Sequence, residues 1–257
     1  MRLVKKLALT AAAVMMVAGG AEAADKVRIG TEGAYPPFNT LTSDGKLVGF
    51  DIDMADALCA EMKVECEFVV QDWDGMIPAL IANKFDAVIA SMSITPDRLK
   101  KVDFSKKYYN TPPAVAVLKD STLEANVDAL AGKVIGAQSS TTHSNYAEQK
   151  LKDIELKLYP TPDEYKLDLE GGRIDGVVDD IVVLSDWVAS EKGACCKILM
   201  PLPIDPVIHG EGAGIAVRKG DTELADKFSA AIAAIRANGK YKEINDKYFS
   251  FDVYGGE

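Results

Sequence analysis

The chain has 257 residues, 48% of them apolar and 26% charged, with a formal charge of −10. It can bury a large core, and its acid excess disfavours nucleic acid and anionic lipid as partners. The two histidines and four cysteines show neither Cys-x-x-Cys nor His-x-x-x-His spacing, and no Gly-x-Ser-x-Gly elbow is present, so no metal, cofactor or hydrolase chemistry is expected.

The N-terminus carries Arg2, Lys5 and Lys6, an apolar run over 7–18, and small residues at Ala21 and Ala23, which predicts a signal peptide over 1–23. The apolar run is shorter than the ~20 residues a membrane-spanning helix needs. No cysteine follows the cleavage point for lipid attachment. Removing the leader takes away three positive charges and one negative, moving the formal charge to about −12. Export implies an oxidising compartment.

Short β-rich runs then alternate with amphipathic helical patterns, predicting an α/β protein with mainly parallel sheets. A strand over 27–30 precedes a helix over 51–62, with Asp51 as its cap and Met54, Leu58 and Met62 on one face. A strand over 66–70, a helix over 77–83 with Pro78 in its first turn, and a strand over 87–90 follow. A Cys59–Cys66 bridge would staple the first helix to the next strand, the alternative being two buried thiols.

After Tyr108-Tyr-Asn-Thr-Pro-Pro113 the pattern restarts, with strands over 114–118, 134–137, 156–159 and 176–178 and helices near 142–152, 163–170 and 181–190. The adjacent Cys195 and Cys196 leave free thiols, a vicinal disulfide and a dimer link open, free or vicinal being favoured. Pro201-Leu-Pro-Ile-Asp-Pro206, with Gly210, Gly212 and Gly214, is a second interruption before a strand and helices over 222–238 and 241–248. The glycine run lacks a lysine and reads as hinge, not as a phosphate loop. Two interruptions predict one lobe from the chain ends (24–110 and 208–257), a second inserted lobe (111–207), and a two-crossing hinge.

The candidate site residues sit where strands give way to loops or helix starts. Arg98 follows Ser91 and Ser93 and can hold a carboxylate through two parallel hydrogen bonds, the plain alternative being a surface arginine paired with Asp97 or Asp103. Thr142 opens a helix whose free N–H groups attract anions. Asp180 closes a strand as either a cleft carboxylate or a helix cap. Asp179 is its rival, and period-two alternation lets only one face the cleft. Tyr35 and Trp73 can clamp an aliphatic stem or stack on a planar cation. Trp73 is equally read as interlobe packing, and Glu32 as a distal-charge partner or a solvated glutamate. A guanidinium, carboxylates, hydroxyls and aromatic rings together fit one free amino acid, because a buried zwitterion needs both charges paired.

Thr31-Glu-Gly-Ala-Tyr-Pro-Pro-Phe38, Gly49-Phe-Asp-Ile-Asp53, Ser91-Met-Ser-Ile-Thr-Pro-Asp-Arg98, Thr141-Thr-His143 and Gly172-Arg-Ile-Asp-Gly176 resemble the polar amino-acid receptors of bacterial ABC importers. Within these the chain is most similar to the arginine-binding and lysine/arginine/ornithine-binding periplasmic proteins, as far as Phe251-Asp-Val-Tyr-Gly255. The resemblance implies a two-lobed type II periplasmic binding protein fold, each lobe a mixed sheet flanked by helices. It also implies a monomer without cofactor or catalytic role that closes on a cationic amino acid and is read by an inner-membrane permease. Arg98 and the Thr142 backbone would take the α-carboxylate, and Asp180, the Ser91 carbonyl and the Ser93 hydroxyl the α-ammonium. Tyr35 and Trp73 would sandwich the side chain, and Glu32 would meet its distal charge, helped by Gln138, Thr141 or His143. Ala90 and Met92 complete the ligand-facing stretch, and Cys59 and Cys66 correspond to the family's disulfide. Glu32, Trp73, Ala90 and the 138–143 segment depart from the lysine/arginine/ornithine pattern and admit histidine, glutamine or arginine-derived opines. Periplasmic enzymes such as cyclohexadienyl dehydratase also resemble this fold, with Glu32 the candidate general acid.

Overall fold

The computed structural model describes residues 25–256, so the predicted signal peptide lies outside the described residues. β1 (Lys26–Thr31) leads into a small antiparallel sheet of β2 (Ala34–Tyr35), β3 (Asn39–Leu41) and β4 (Leu47–Val48). α1 (Phe50–Met62) buries Phe50, Met54 and Leu58 at i, i+4 spacing and ends where Lys63 takes a left-handed φ of 59°. β5 (Glu65–Val70), α2 (Met76–Ile81), β6 (Ala87–Val88), α3 (Pro96–Leu99) and β7 (Val102–Tyr109) follow.

The chain then crosses to β8 (Pro113–Leu118), β9 (Val134–Gln138), α4 (Thr142–Lys150), β10 (Glu155–Tyr159), α5 (Pro162–Glu170), β11 (Gly176–Asp180), α6 (Ile181–Ala189) and β12 (Cys196–Pro201). Past α7 (Pro206–His209) it returns as β13 (Ala213–Arg218), α8 (Thr222–Ala237) and α9 (Lys240–Tyr248). One sheet runs β5-β1-β6-β13-β7 and the other β10-β9-β11-β8-β12, so the first is built from both ends of the chain.

Both sheets are mixed, which corrects the expectation of mainly parallel pairing. β1 is parallel to β5 and β6, and β9 to β10 and β11, whereas β13 and β8 are antiparallel to both of their neighbours. The reason is directional. β8 and β13 are the first strands after each crossing, so they start at the edge where the parallel strands end. Period-two alternation covers both faces of the second sheet: Val115 and Val117 join one apolar cluster, Ala114 and Ala116 the other. α8 lays Ala225, Phe228, Ala231, Ile232 and Ile235 on the first sheet, and Val182 and Val183 of α6 pack into that same cluster beside Tyr35 and Phe38.

Asp51 is not the cap of α1. Gly49 occupies that position, and Asp51 is 0% exposed with its carboxylate turned inward. The Cys59–Cys66 bridge joins the end of α1 to β5, while Cys195 and Cys196 are free thiols. Replacing Cys59 and Cys66 by serine is expected to lower stability by up to ~3 kcal/mol, the chain-entropy value for a short loop, and to leave ligand affinity almost unchanged. Thermal melts beside calorimetric titrations check this, and a collapse of affinity at unchanged melting temperature would contradict it.

Candidate ligand-binding site

The parallel strands of both sheets deliver their C-terminal ends to one cleft. Glu32 follows β1, Trp73 lies just past β5, Ala90 and Ser91 follow β6, Gln138 ends β9 and Asp180 ends β11. This is where open α/β sheets hold ligands. Glu32, Tyr35, Trp73, Ala90, Ser91, Ser93, Arg98, Gln138, Thr141, Thr142 and His143 line one interlobe cavity. An adjoining one shares Tyr35, Ser91, Ser93, Thr142 and His143 and adds Asp180, Asn110, Thr111 and His209.

The lobes meet across this cleft through named contacts. Gln138 Nε2 donates to Glu32 Oε1 at 2.6 Å, the Tyr35 hydroxyl to Asp179 Oδ1 at 2.5 Å, and Ser139 Oγ to Asp74 Oδ2 at 2.8 Å. Trp73 Nε1 and an Arg98 nitrogen both donate to the Ser140 carbonyl at 3.2 Å, with the guanidinium 5.2 Å from the Trp73 ring centre. Trp73 therefore both closes the interface and stacks on a cation.

Arg98 is not a surface ion-pair residue. Asp97 binds Lys100 and Asp103 binds Lys219, and among the described residues no carboxylate reaches Arg98. Its other nitrogen donates to the Ser93 carbonyl at 3.0 Å. Burial lowers its pKa to about 10, marking a charge short of compensation. Thr142 begins α4 beside it, and the Thr141 hydroxyl caps that helix by accepting from Ser144 N, in a reciprocal capping box.

Two carboxylates also line the cavities, Glu32 in that of Arg98 and Asp180 in the adjoining one. Glu32 is 8% exposed, and burial, reinforced by nearby Asp179, Asp72 and Asp74, outweighs the Gln138 hydrogen bond and raises its pKa to about 7. It is no solvated surface glutamate. Asp180 is raised to about 7, by burial first. Its Oδ1 caps α6 through Val182 N at 2.7 Å, while Oδ2 accepts from the Thr111 hydroxyl of the first crossing. The residue that caps α6 thus also lines the adjoining cavity.

Of the rival pair only Asp180 lines a cavity, as period-two alternation requires. Asp179 accepts the Tyr35 and Tyr165 hydroxyls and lies 3.3 Å from His143 Nε2. Asp180, where β11 turns into α6, lines the adjoining cavity, and Asp179 stands behind the Tyr35 and His143 side chains that line both. Of the helpers expected around Glu32, only Gln138 bonds it: Thr141 is engaged in capping and His143 faces Asp179. Met92 turns away from both ligand cavities into the apolar cluster with Met76 and Leu80. Sequence reading missed Tyr165, Thr111 and His209. Only their positions at a helix interior and the two crossings single them out, and no local motif does.

Residues 27–251 match the model of the bacterial extracellular solute-binding proteins, family 3. The chain belongs to that family. It is 49% identical over 256 residues to an L-arginine-binding protein of Pseudomonas aeruginosa, covering 98% of this chain and 99% of that one. It is 39% identical over 245 residues to ABC transporter arginine-binding protein 1 of Escherichia coli, covering 95% and 99%. Among solved structures, a Salmonella typhimurium periplasmic binding protein described for its high arginine specificity superposes with a TM-score of 0.82 at 35% identity, covering 88% of this chain and all of that one.

Proposed function

We propose that the chain is a periplasmic receptor that captures a cationic L-amino acid, arginine foremost with lysine and ornithine behind it, and hands it to an inner-membrane ABC permease. One observation carries the reading: the imbalance of charge across the cleft. A guanidinium without a carboxylate partner lines the same cavity as the Glu32 carboxylate, Asp180 lines the adjoining one, and Asp179 stands behind His143. A ligand with one carboxylate and two cationic groups compensates Arg98, Glu32 and Asp180 together, whereas a neutral amino acid leaves an acid unpaired. In this reading Arg98 and the start of α4 take the α-carboxylate, Asp180 and Ser91 the α-ammonium, and Glu32 the distal cation between Tyr35 and Trp73. The relatives named for arginine support the same ligand.

The lobes divide at 24–110, 111–207 and 208–257, and the ligand, touching both, favours closure by its differential affinity for that state. The protein binds without turnover. A calorimetric panel of arginine, lysine, ornithine, histidine, glutamine and octopine should rank arginine first, and X-ray scattering should show compaction on arginine addition. Mass spectrometry of ligand released by denaturation should return unchanged arginine. Tighter binding of glutamine than of arginine, or a converted ligand, would refute the assignment.

A further inference from the structure

Asp51 belongs to none of the ligand-lining residues, yet three of its neighbours hold the segments that do. Its Oδ1 accepts the Tyr108 hydroxyl at 2.7 Å, and its Oδ2 accepts Asn39 Nδ2 at 2.8 Å and Ser91 Oγ at 3.0 Å. Each partner is tied onward. The Tyr108 oxygen accepts the backbone N–H of Ser91 at 3.0 Å, so both donors of Ser91 end on Asp51, directly or through one hydroxyl. Asn39 Oδ1 accepts the N–H of Gly33 at 2.8 Å, fixing the turn between Glu32 and Tyr35. Ser91 has a left-handed φ of 58°, a conformation that non-glycine residues keep only when their surroundings impose it.

We propose that Asp51 is a positioning residue for the ligand site, a buried carboxylate that clamps Ser91 in its left-handed conformation and, through Asn39, sets the Glu32–Tyr35 turn. The inference rests on the receptor reading above. An asparagine cannot replace it, because its amide has one acceptor oxygen and turns an NH2 group toward hydroxyl and amide donors. Helix capping does not explain the residue, since its side chain makes no cap hydrogen bond.

The test uses the mature protein and arginine as probe. Asp51→Asn should weaken arginine binding at least tenfold in a calorimetric titration. Adding Ser91→Gly in the Asp51→Asn background should recover a large part of that loss, because glycine adopts positive φ without a clamp and retains the backbone carbonyl. A merely structural Asp51 would lower the melting temperature with no recovery of affinity by the glycine, and that result would overturn the proposal, as would unchanged affinity in Asp51→Asn. If Asp51→Asn fails to fold, Tyr108→Phe removes one arm of the clamp and keeps the ring; it should weaken arginine binding severalfold and be rescued by the same glycine, and an absence of either effect counts against the proposal. A parent that shows no arginine binding defeats the receptor reading instead, so the two failures are separable.

Discussion

Arg98→Ala is expected to weaken the binding of every α-amino acid alike, by ~2 to 5 kcal/mol, roughly thirtyfold to several thousandfold, as when one partner of a buried hydrogen-bonded charge pair is removed. The loss is non-selective because the α-carboxylate is common to all such ligands. Two further consequences follow from its contacts. The guanidinium donates to Ser140 on the far lobe and stacks on Trp73, so the alanine variant should also show reduced ligand-induced compaction in scattering. Arg98→Lys keeps the charge but loses the planar fork and most of the stacking, and should fall between parent and alanine variant. Calorimetry against arginine and glutamine checks the pattern. Intact arginine binding in Arg98→Ala would remove the carboxylate clamp from the site.

Most of the fold was legible because its helices and inner strands follow simple periods. The i, i+4 spacing in α1 and the continuous apolar run of β8 predicted both elements to within a residue of their ends. β7 and β12 escaped notice. β7 mixes Lys106 and Lys107 with buried Tyr108 and Tyr109, and β12 is an edge strand interrupted by a register shift between Ile198 and Met200, so neither shows clean alternation. Their omission hid one antiparallel pairing in each sheet, β7 with β13 and β12 with β8.

Glu32 and Asp180 were legible as candidates because they stand at the C-terminal ends of β1 and β11, where open α/β sheets hold ligands, and Arg98 because it lies in the short helix past β6 in a run with Ser91 and Ser93. Asp51, by contrast, was misread. An acid at a helix start has a common local explanation, capping, and its actual partners Asn39, Ser91 and Tyr108 are brought to it only by tertiary packing. The Gly210–Gly214 stretch shows the same limit. Gly212 O accepts Ile94 N at 2.8 Å, and Gly214 N donates to Met92 O at 3.0 Å, so this part of the second crossing is pinned to the first lobe's site loop. At Gly210, with φ of 72°, a Cβ would lie 1.8 Å from the Ile94 carbonyl oxygen, so close approach as well as backbone freedom demands glycine.

Glu32→Gln should differ from the arginine variant in kind. It removes an attraction felt by the distal cation of arginine, so arginine affinity should fall by more than ~2 kcal/mol, about thirtyfold, while glutamine, whose α-groups are untouched, should change little. The pH dependence follows from the same group. With the lobes in contact, burial raises the Glu32 pKa to about 7, and a cation bound beside it lowers it, so arginine binding should release protons and weaken as pH falls below about 7. Calorimetry in buffers of different ionisation enthalpy measures that release. Asp180, also raised to about 7, should leave part of the release in Glu32→Gln. The sign for stability is the reverse. A carboxyl whose folded pKa lies above its unfolded one contributes stability at low pH that is lost as pH rises through about 7, so without arginine the arrangement with the lobes in contact should be less stable, and melt lower, at about pH 8 than at about pH 5 as far as these two groups contribute. Arginine should therefore raise the melting temperature more at the higher pH, by a margin that shrinks in Glu32→Gln. Equal losses for arginine and glutamine in Glu32→Gln, with proton release unchanged from the parent, would remove Glu32 from the distal subsite and with it the cationic preference.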